Sequence, residues 1–339
     1  MISLATKYRP KTFDDVIGQD SIVKILKKQI ELRQFKNCFI FYGASGCGKT
    51  TCARIYANEI NMHQGSPIEI DAASNNGVDN VREIIKSANE RSLDSEYKIY
   101  IIDEAHVLTS QSWQAFLKCI EEPPQYTIFI FCTTEKNKIP DTIKNRCQVF
   151  NFNRINPRDI EINLNKVCNA ENFTNFTEAC NYISKISKGQ MRDALANLEK
   201  CASYSTDLSI NNVIAALGDY SYDNMFKLFN GILDNNVGII YDIIERVYEG
   251  GIDLKLYIDE LLNFSIDLSK YVIFKTCDVT KIPTAYESEL KHLTMFDNSI
   301  TYYNYYTNKL LELKNMLKND INPLSTIEVM LCKMARLEQ

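Results

Sequence analysis

The stretch GASGCGKT, residues 43–50, has the residue types and the spacing of a phosphate-binding loop. It fits the pattern G-x-x-x-x-G-K-[ST], follows the apolar run NCFIFY and precedes the helical pattern KTTCARIYANEI, which is the strand, loop and helix context that such a loop requires. Glycines let backbone N–H groups converge on phosphate oxygens at the positive end of a helix. We therefore predict that a nucleotide contacts Gly43, Ala44, Ser45, Gly46, Cys47, Gly48, Lys49, Thr50 and Thr51.

Hydrolysis of such a nucleotide needs a metal site and a base. Lys49 is predicted to reach the β- and γ-phosphates, and the Thr50 hydroxyl to bind Mg²⁺. The run IYIIDEAH places Asp103 and Glu104 at the end of a buried strand, where a carboxylate is costly unless it serves a cation. Asp103 suits the Mg²⁺ shell, and Glu104 suits a general base. Thr134 follows TIFIFCT, on a strand expected beside that of Asp103, and its hydroxyl is placed to hold the water or the phosphate.

The elements that position these side chains read as short strands alternating with helices. The strand candidates are NCFIFY, PIEID, KIYIID and TIFIFCTT, and the helical patterns include DSIVKILKKQIEL, KTTCARIYANEI, DNVREIIKSANE and SQSWQAFLKCIEE, the last stopped by Pro123 and Pro124. This alternation predicts a parallel sheet with helices on both faces. After NFNRINPRD only helical patterns follow. We predict an α/β nucleotide-binding domain at 1–152, a small helical domain at 153–208 and an all-α domain at 209–339.

Composition limits the other classes of protein. No apolar run approaches the ~18 residues of a membrane span, and MISLATKYRP is not a signal peptide, which predicts a cytoplasmic protein without a membrane partner. The formal net charge of -5 argues against a protein that coats DNA, but not against local DNA binding. The basic excess in residues 1–36 fits a solvated helix face or a polyanion site. The eleven cysteines contain no CxxC pair and fall mostly in apolar runs, which predicts buried free thiols and no metal site.

Seven segments occur in an order that resembles the clamp-loader ATPases of the AAA+ class. They are KYRPKTFDDVIGQD, the phosphate-binding loop, IEIDAASNNGVDNVREI, IYIIDEAHVL, LKCIEEPP, TTEKNKIPDTIKNRC and GQMRDALANLEK. The chain is most like the gamma/tau subunit of bacterial DNA polymerase III, and the small subunits of replication factor C are similar at a greater distance. The resemblance covers residues 1 to about 218. It implies an AAA+ domain, a helical lid domain and a helical collar that oligomerises.

The same resemblance implies roles for individual residues. Thr134 matches the sensor-1 position, and Arg192 in GQMRDA matches the sensor-2 arginine of the lid. Arg146 in NRC matches the arginine that reaches the ATP of a neighbouring subunit, which would tie hydrolysis to assembly. The segment that encloses adenine in such proteins is matched by Tyr8, Arg9, Pro10, Val16 and Ile17.

The implied function is loading of a sliding clamp onto primer-template DNA by a pentameric partial ring that binds and hydrolyses ATP with Mg²⁺. DNA contacts are predicted at Asn75, Asn76 and Arg82, where SNNGVDN opens a helix, although an ordinary Asn/Gly loop explains these residues equally well. Phe116 is predicted to be core, and Trp113 to contact the clamp. The segment TYYNYYTNKLLELKNMLK reads as a collar helix or, less simply, as a platform on which bases stack.

Three departures from the family pattern qualify this reading. NMHQGSP occupies the place of the family's four-cysteine zinc module, so no zinc is expected, and Asn145 replaces the usual Ser before Arg146. The sequence ends at Gln339 without the long tau tail. A compact form of this kind suits a small or viral replication system, and the expected location is the cytoplasm of a bacterial cell, including one that is host to a phage.

Two other classes stay open. A different AAA+ motor or remodeller would share the loop and the Asp-Glu pair, without DAASNNGVD, EEPP and NRC together. A stator subunit without activity would have a damaged loop, whereas Lys49, Thr50 and Glu104 are intact.

Overall fold

The computed structural model describes residues 2–217 and 222–336. Its contacts divide the chain into two compact units. The sheet unit consists of Met1–Glu171 and Ile183–Glu199, and the helical unit of Asn172–Tyr182 and Lys200–Gln339. The three-domain division predicted from the sequence, with breaks after 152 and 208, stays a prediction.

The sheet unit is built on five parallel strands in the order β2-β3-β4-β1-β5. The strands are β1 Cys38–Gly43, β2 Ile68–Asp71, β3 Lys98–Asp103, β4 Thr127–Thr133 and β5 Gln148–Phe152. The four strands predicted from the sequence are confirmed, and so is the parallel α/β architecture. The fifth strand, QVFNF, was not predicted from the sequence. Buried and exposed side chains alternate along it, because Phe150 and Phe152 are buried and Asn151 between them is exposed.

Side chains along each strand alternate between two cores, one on each face of the sheet. Phe39 and Phe41 of β1 pack with Tyr56 on one face, whereas Ile40 packs with Phe116 on the other. A strand buried on both faces reads as a continuous apolar run, which is why NCFIFY and TIFIFCT lack a polar side. The helices predicted around the sheet supply both layers.

The seven described helices that lie wholly in the sheet unit are α1 Leu4–Lys7, α2 Asp20–Glu31, α3 Lys49–Ile60, α4 Val78–Ala88, α5 Ser110–Glu121, α6 Asp141–Lys144 and α7 Pro157–Ala170. The four with predicted patterns, α2 to α5, begin and end within two residues of those patterns. Helices α8 Phe176–Ile186 and α9 Met191–Tyr204 contribute residues to both units. Helix α5 begins where the Thr109 side chain accepts a hydrogen bond from Ser112 N, and it ends just before Pro123.

The described residues also form short 3-10 helices, and one of them begins directly after Glu104. They are Phe13–Asp15, Ala105–Val107, Lys136–Lys138, Cys277–Val279, Thr284–Tyr286 and Leu317–Asn319.

The helical unit packs around its own core. Its remaining helices are α10 Ile210–Leu217, α11 Tyr222–Leu233, α12 Val237–Glu249, α13 Leu254–Phe274, α14 Glu287–Thr294, α15 Ser299–Met316 and α16 Pro323–Ala335. Helix α15 carries the tyrosine-rich segment, and Tyr303 and Tyr306 are fully buried in this core. The Tyr303 hydroxyl donates to the Leu293 carbonyl at 2.5 Å, and burial raises the pKa of Tyr306 to about 12. These two rings are core residues, so they do not form a stacking surface.

Two further sequence expectations can be read from the same structure. All eleven cysteines are free, and nine of them are buried, which confirms their assignment as small core residues. In the basic N-terminal segment, Lys7, Lys27, Lys28 and Arg33 each pair with a carboxylate, as a solvated face would. Across the described ranges no helix is long and apolar enough to span a membrane.

Candidate nucleotide-binding site

The site forms at the carboxyl ends of the parallel strands, which meet at one edge of the sheet. The phosphate-binding loop leaves β1, and Asp103 ends β3, two strands away. The Thr50 hydroxyl donates to Asp103 Oδ2 at 2.9 Å. The two predicted Mg²⁺ ligands are therefore adjacent, although 53 residues separate them in the sequence.

Two glycines of the loop are required for different reasons. A Cβ on Gly43 would lie 2.2 Å from the carbonyl oxygen of Phe152, so β5 approaches this position too closely for any side chain. Gly48 has φ 103, a conformation that other residues rarely adopt, and open space beside it. The first glycine lets the loop pack on the sheet, and the second lets helix α3 begin at Lys49.

Lys49 is only 7% exposed and projects back over the loop. Its Nζ donates to the carbonyl oxygens of Gly43 at 3.0 Å and Ala44 at 2.8 Å. In the part of the chain that the structure describes, it has no ion-pair partner. A buried cation that is held only by neutral oxygens is costly unless an anion joins it, as a nucleotide phosphate would.

The loop opens into a cleft of about 720 Å³ within the sheet unit. Most of the nucleotide contacts predicted from the sequence line this cleft: Tyr8, Arg9, Pro10, Val16, Ile17, Ser45, Gly46, Cys47, Gly48, Lys49, Thr50, Thr51, Asp103, Glu104 and Arg192. Gly43 and Ala44 contribute the carbonyl groups that hold Lys49. The structure thus brings together residues from the N-terminal segment, the loop, β3 and α9.

The first turn of α9 lies directly against the loop. Met191 N donates to the Gly46 carbonyl at 3.1 Å, and a Cβ on Gly46 would lie 3.3 Å from that of Arg192. Arg192 is exposed, and among the described residues it has no ion-pair partner. The pKa of Arg9 is lowered mainly by burial, and to a smaller extent by the positive charges of the nearby Arg54 and Arg192 guanidinium groups. A polyanion in the cleft would relieve this crowding of positive charge.

The N-terminal segment beside the cleft is held by the carboxylate of Glu171, the residue that directly follows α7. Glu171 Oε1 accepts from the Tyr8 hydroxyl at 2.5 Å and from Lys7 Nζ at 2.6 Å. These bonds, with that of Lys7 the stronger influence, lower the pKa of Glu171. The bond to Glu171 and burial raise the pKa of Tyr8. The segment predicted to enclose the base is therefore tied to the wall of the cleft.

A magnesium ion fits the residues present. Mg²⁺ keeps several waters and takes one or two carboxylates together with substrate phosphates, so it needs no larger group of protein ligands. Thr50 and Asp103 would hold it, and when bound it would neutralise charge on the transferring phosphoryl group. No group of three or more His, Cys, Asp and Glu suited to a metal occurs in the described stretches. The expected absence of zinc remains a prediction.

Among the residues that sequence reasoning missed are Arg54, which lines the cleft, and Gln19, which orders the loop from outside that lining. Arg54 lies one helical turn after Thr50, so it lines the same cleft, and it pairs with Glu69 of β2. Buried Gln19 donates through Nε2 to the carbonyl oxygens of Cys47 and Asn153, joining the loop to the end of β5. The helical spacing from Thr50 is the signal that could have revealed Arg54. Nothing local identifies Gln19.

Two predicted catalytic residues lie outside the lining of the cleft. Thr134 directly follows β4, which pairs with β3 as predicted. Arg146 is 40% exposed, donates to the Thr142 carbonyl at 2.8 Å and forms an ion pair with Glu121 at 2.6 Å. Their roles stay predictions. A finger that acts on a neighbouring subunit is expected to lie outside the cleft of its own chain.

The predicted clamp contact at Trp113 is wrong. Its indole is 3% exposed and packs against Phe131 and Phe116, with ring centroids 5.1 and 6.2 Å away. Helix α5 turns this face toward the sheet because the aromatic side chains of β4 supply the matching apolar surface. Phe116 is fully buried, as predicted.

Of the predicted DNA residues, Asn75 and Asn76 precede α4 and Arg82 lies within it, and none of the three lines the cleft. The Asn76 carbonyl accepts from the Ser112 hydroxyl at 2.6 Å, and the Asn75 amide donates to the Asp71 carbonyl at 3.1 Å. Arg82 is exposed and pairs with Asp79. The helix begins after Gly77 without a side-chain cap. The loop is thus ordered by its own bonds, and its role in DNA binding stays a prediction.

Comparison with known proteins places this site in a family. A family model described as "DNA polymerase III, delta subunit" matches residues 63–156. The DNA polymerase III subunit gamma of Buchnera aphidicola subsp. Baizongia pistaciae is 30% identical over 339 residues, which cover 92% of this chain and 91% of that protein. This chain belongs to the DNA polymerase III gamma/tau family. The resemblance inferred from the seven sequence segments is confirmed.

Other members of the gamma/tau family are longer. The DNA polymerase III subunit tau of Bacillus subtilis is 34% identical over 286 residues, covering 78% of this chain and 51% of that protein. The chain therefore spans about half the length of this relative. Among solved structures, the RuvB Holliday junction branch migration motor of Thermotoga maritima has a TM-score of 0.53 and 18% identity, over 73% of this chain and 86% of that one. This likeness shows that the AAA+ fold is shared.

Proposed function

We propose that this gamma/tau family chain is an ATPase subunit of a sliding-clamp loader, which couples ATP binding and hydrolysis to loading of the clamp on primer-template DNA. The observation that carries this proposal is the composition of the cleft. Lys49, Thr50, Asp103, Glu104 and Arg192 line one cavity large enough for a nucleotide. Each has a side chain suited to one part of phosphoryl transfer.

In the proposed mechanism, Lys49 leaves its carbonyl partners for the phosphates. Glu104 polarises the attacking water, and Thr134 senses the γ-phosphate. Arg192 contacts the phosphates from the lid, and the segment from Tyr8 to Ile17 encloses the base. ATP is the expected nucleotide, and no zinc is required.

The arrangement of Arg146 supports a ring. Its guanidinium group lies on the surface, outside the cleft of its own chain, and its partner Glu121 is equally accessible. An arginine supplied in trans to a phosphoryl group accelerates hydrolysis by orders of magnitude. We infer a pentameric partial ring with companion subunits, in the cytoplasm of a bacterium or of the bacterial host of a phage. Asn75, Asn76 and Arg82 are the proposed contacts to DNA.

ATPase assays on the assembled complex test this function. Hydrolysis should rise when clamp and primed DNA are both added. A remodelling enzyme would show no dependence on the clamp, and a stator would hydrolyse no ATP under any condition. The mass of the purified complex, measured together with its companion subunits, tests the ring.

A further inference from the structure

Glu104 has an unusual backbone and one isolated oxygen. Its φ of 49 and ψ of 40 are left-handed, a conformation that costs a non-glycine residue energy and is concentrated at functional sites. Its side chain lines the cleft and is 43% exposed, yet Oε2 is buried and accepts no hydrogen bond. The carboxylate is therefore open to the cleft while one of its oxygens faces the protein.

His106 lies against that isolated oxygen. Its side chain is 14% exposed and does not line the cleft. Its Nδ1 is also buried without a hydrogen bond, and it lies 3.3 Å from Glu104 Oε2. Buried polar atoms without partners are rare, so two that face each other at this distance require an explanation. A proton on Nδ1 and a small rotation of either side chain would join them.

The other side of the imidazole ring faces the segment that follows β4. His106 Nε2 lies 3.5 Å from Glu135 Oε1, and Glu135 is the residue after Thr134. Glu135 is itself paired with Lys138 at 2.9 Å, and its backbone N–H donates to the Thr133 hydroxyl. The ring is thus placed between the carboxylate of the predicted base and the segment that carries the predicted sensor.

We propose that His106 is a positioning residue for ATP hydrolysis, and that its Nδ1–H donates to Glu104 Oε2. This bond fixes the rotation of the carboxylate and leaves the other oxygen of Glu104 to polarise the attacking water. An oriented base is needed because proton transfer depends on geometry before it depends on basicity. The inference rests on the proposed function, since it requires that Glu104 act on a nucleotide in the cleft.

Two isosteric replacements separate this role from simple packing. In His106→Asn the side-chain amide can occupy the position of Nδ1 and still donate to Glu104, whereas in His106→Gln the amide reaches only the position of Nε2. Each variant is made in the full chain and assembled with its companion subunits, clamp and primed DNA. The measurements are kcat and KM for ATP, the affinity for a non-hydrolysable ATP analogue, and the midpoint of thermal unfolding. His63→Gln, on an exposed histidine outside the cleft, is the matched control.

We expect His106→Gln to lower kcat by roughly 10- to 100-fold, the loss typical of removing the outer partner of a functional group. KM and analogue affinity should not change. His106→Asn should retain a kcat within about threefold of the unsubstituted chain, since it keeps the donor. Full activity of His106→Gln in an active assembly overturns the positioning role alone, and so does an equal loss in both variants. An unsubstituted assembly that hydrolyses no ATP overturns the proposed function, and the positioning role with it.

Discussion

The cleft and the Arg146 surface differ in how completely one chain builds them. Around the loop, Lys49 is buried and Thr50 is bonded to Asp103, so the phosphate-binding half of the site is ordered within the chain. Arg146 is instead exposed and paired with a neighbouring carboxylate. A group that acts within its own chain can be buried in advance, but a group that acts on another chain must stay accessible. If Arg146 acts on a neighbouring subunit as proposed, we expect the isolated chain to bind ATP and expect hydrolysis to require the assembled ring.

Arg146→Ala should have the largest effect, because it removes the group that is proposed to act on the neighbouring subunit. We expect the ATPase rate of the assembled complex to fall by about 10³- to 10⁵-fold, because the developing phosphoryl charge loses its guanidinium group. Nucleotide affinity of the isolated chain should not change. Steady-state hydrolysis by the complex and analogue titration of the free chain measure these two quantities. Unchanged hydrolysis with clamp and primed DNA present would remove the case for a shared site.

Lys49→Ala tests the phosphate-binding part of the site, which is formed by residues of a single chain. Loss of a buried cation beside the phosphates should lower hydrolysis by about 10²- to 10³-fold, as removal of a preorganised charge-stabilising donor does elsewhere. The isolated Lys49→Ala chain should also bind nucleotide more weakly than the unsubstituted chain, whereas the isolated Arg146→Ala chain should not. Titration with a fluorescent ATP analogue checks this. Normal affinity in Lys49→Ala would contradict the assignment of the loop.

Glu121→Gln tests whether the surface ion pair restrains Arg146. The ion pair between Glu121 and Arg146 must break before the guanidinium group can reach a phosphate, and an exposed pair of this kind is worth at most about 1 kcal/mol. Its loss should raise assembly-dependent hydrolysis by up to about fivefold at limiting companion subunits. Glu122→Gln, on the next and equally exposed carboxylate, is the matched control and should have no effect. A lower rate in Glu121→Gln would show that Glu121 orients Arg146 instead of competing for it.

Glu171→Gln should have the smallest effect. Its pKa is lowered in the folded protein by the bonds from Lys7 and Tyr8. The tether therefore contributes above the unfolded pKa of about 4.3 and is lost as the pH falls through the folded value. Near neutral pH we expect the variant to bind ATP less than about fivefold more weakly, as for a surface pair.

A carboxyl NMR titration of the unsubstituted chain checks the sign of this shift. The Glu171 midpoint should lie below 4.3. A midpoint above it would show that the tether does not form.

Much of the site could be read from the sequence because its residues are grouped by local geometry. A glycine-rich loop with Lys49 and Thr50 must be followed by a helix to bind phosphate, and the carboxylates of Asp103 and Glu104 end a strand that is otherwise apolar. Each of these patterns lies within a few consecutive residues. The alternation of apolar runs with helical patterns likewise predicted the parallel sheet.

What the sequence by itself determined is therefore the chemistry of the loop, the Asp-Glu pair and the class of fold, since these depend on neighbours along the chain. Only the tertiary structure decided which residues meet across the chain. It added β5 beside β1, placed Arg54 with Glu69, turned Trp113 into the core and brought His106 to Glu104 with Glu135 on its other side. The physical reason is that packing depends on shape and burial between distant segments, and patterns within a few consecutive residues do not show which distant segments meet.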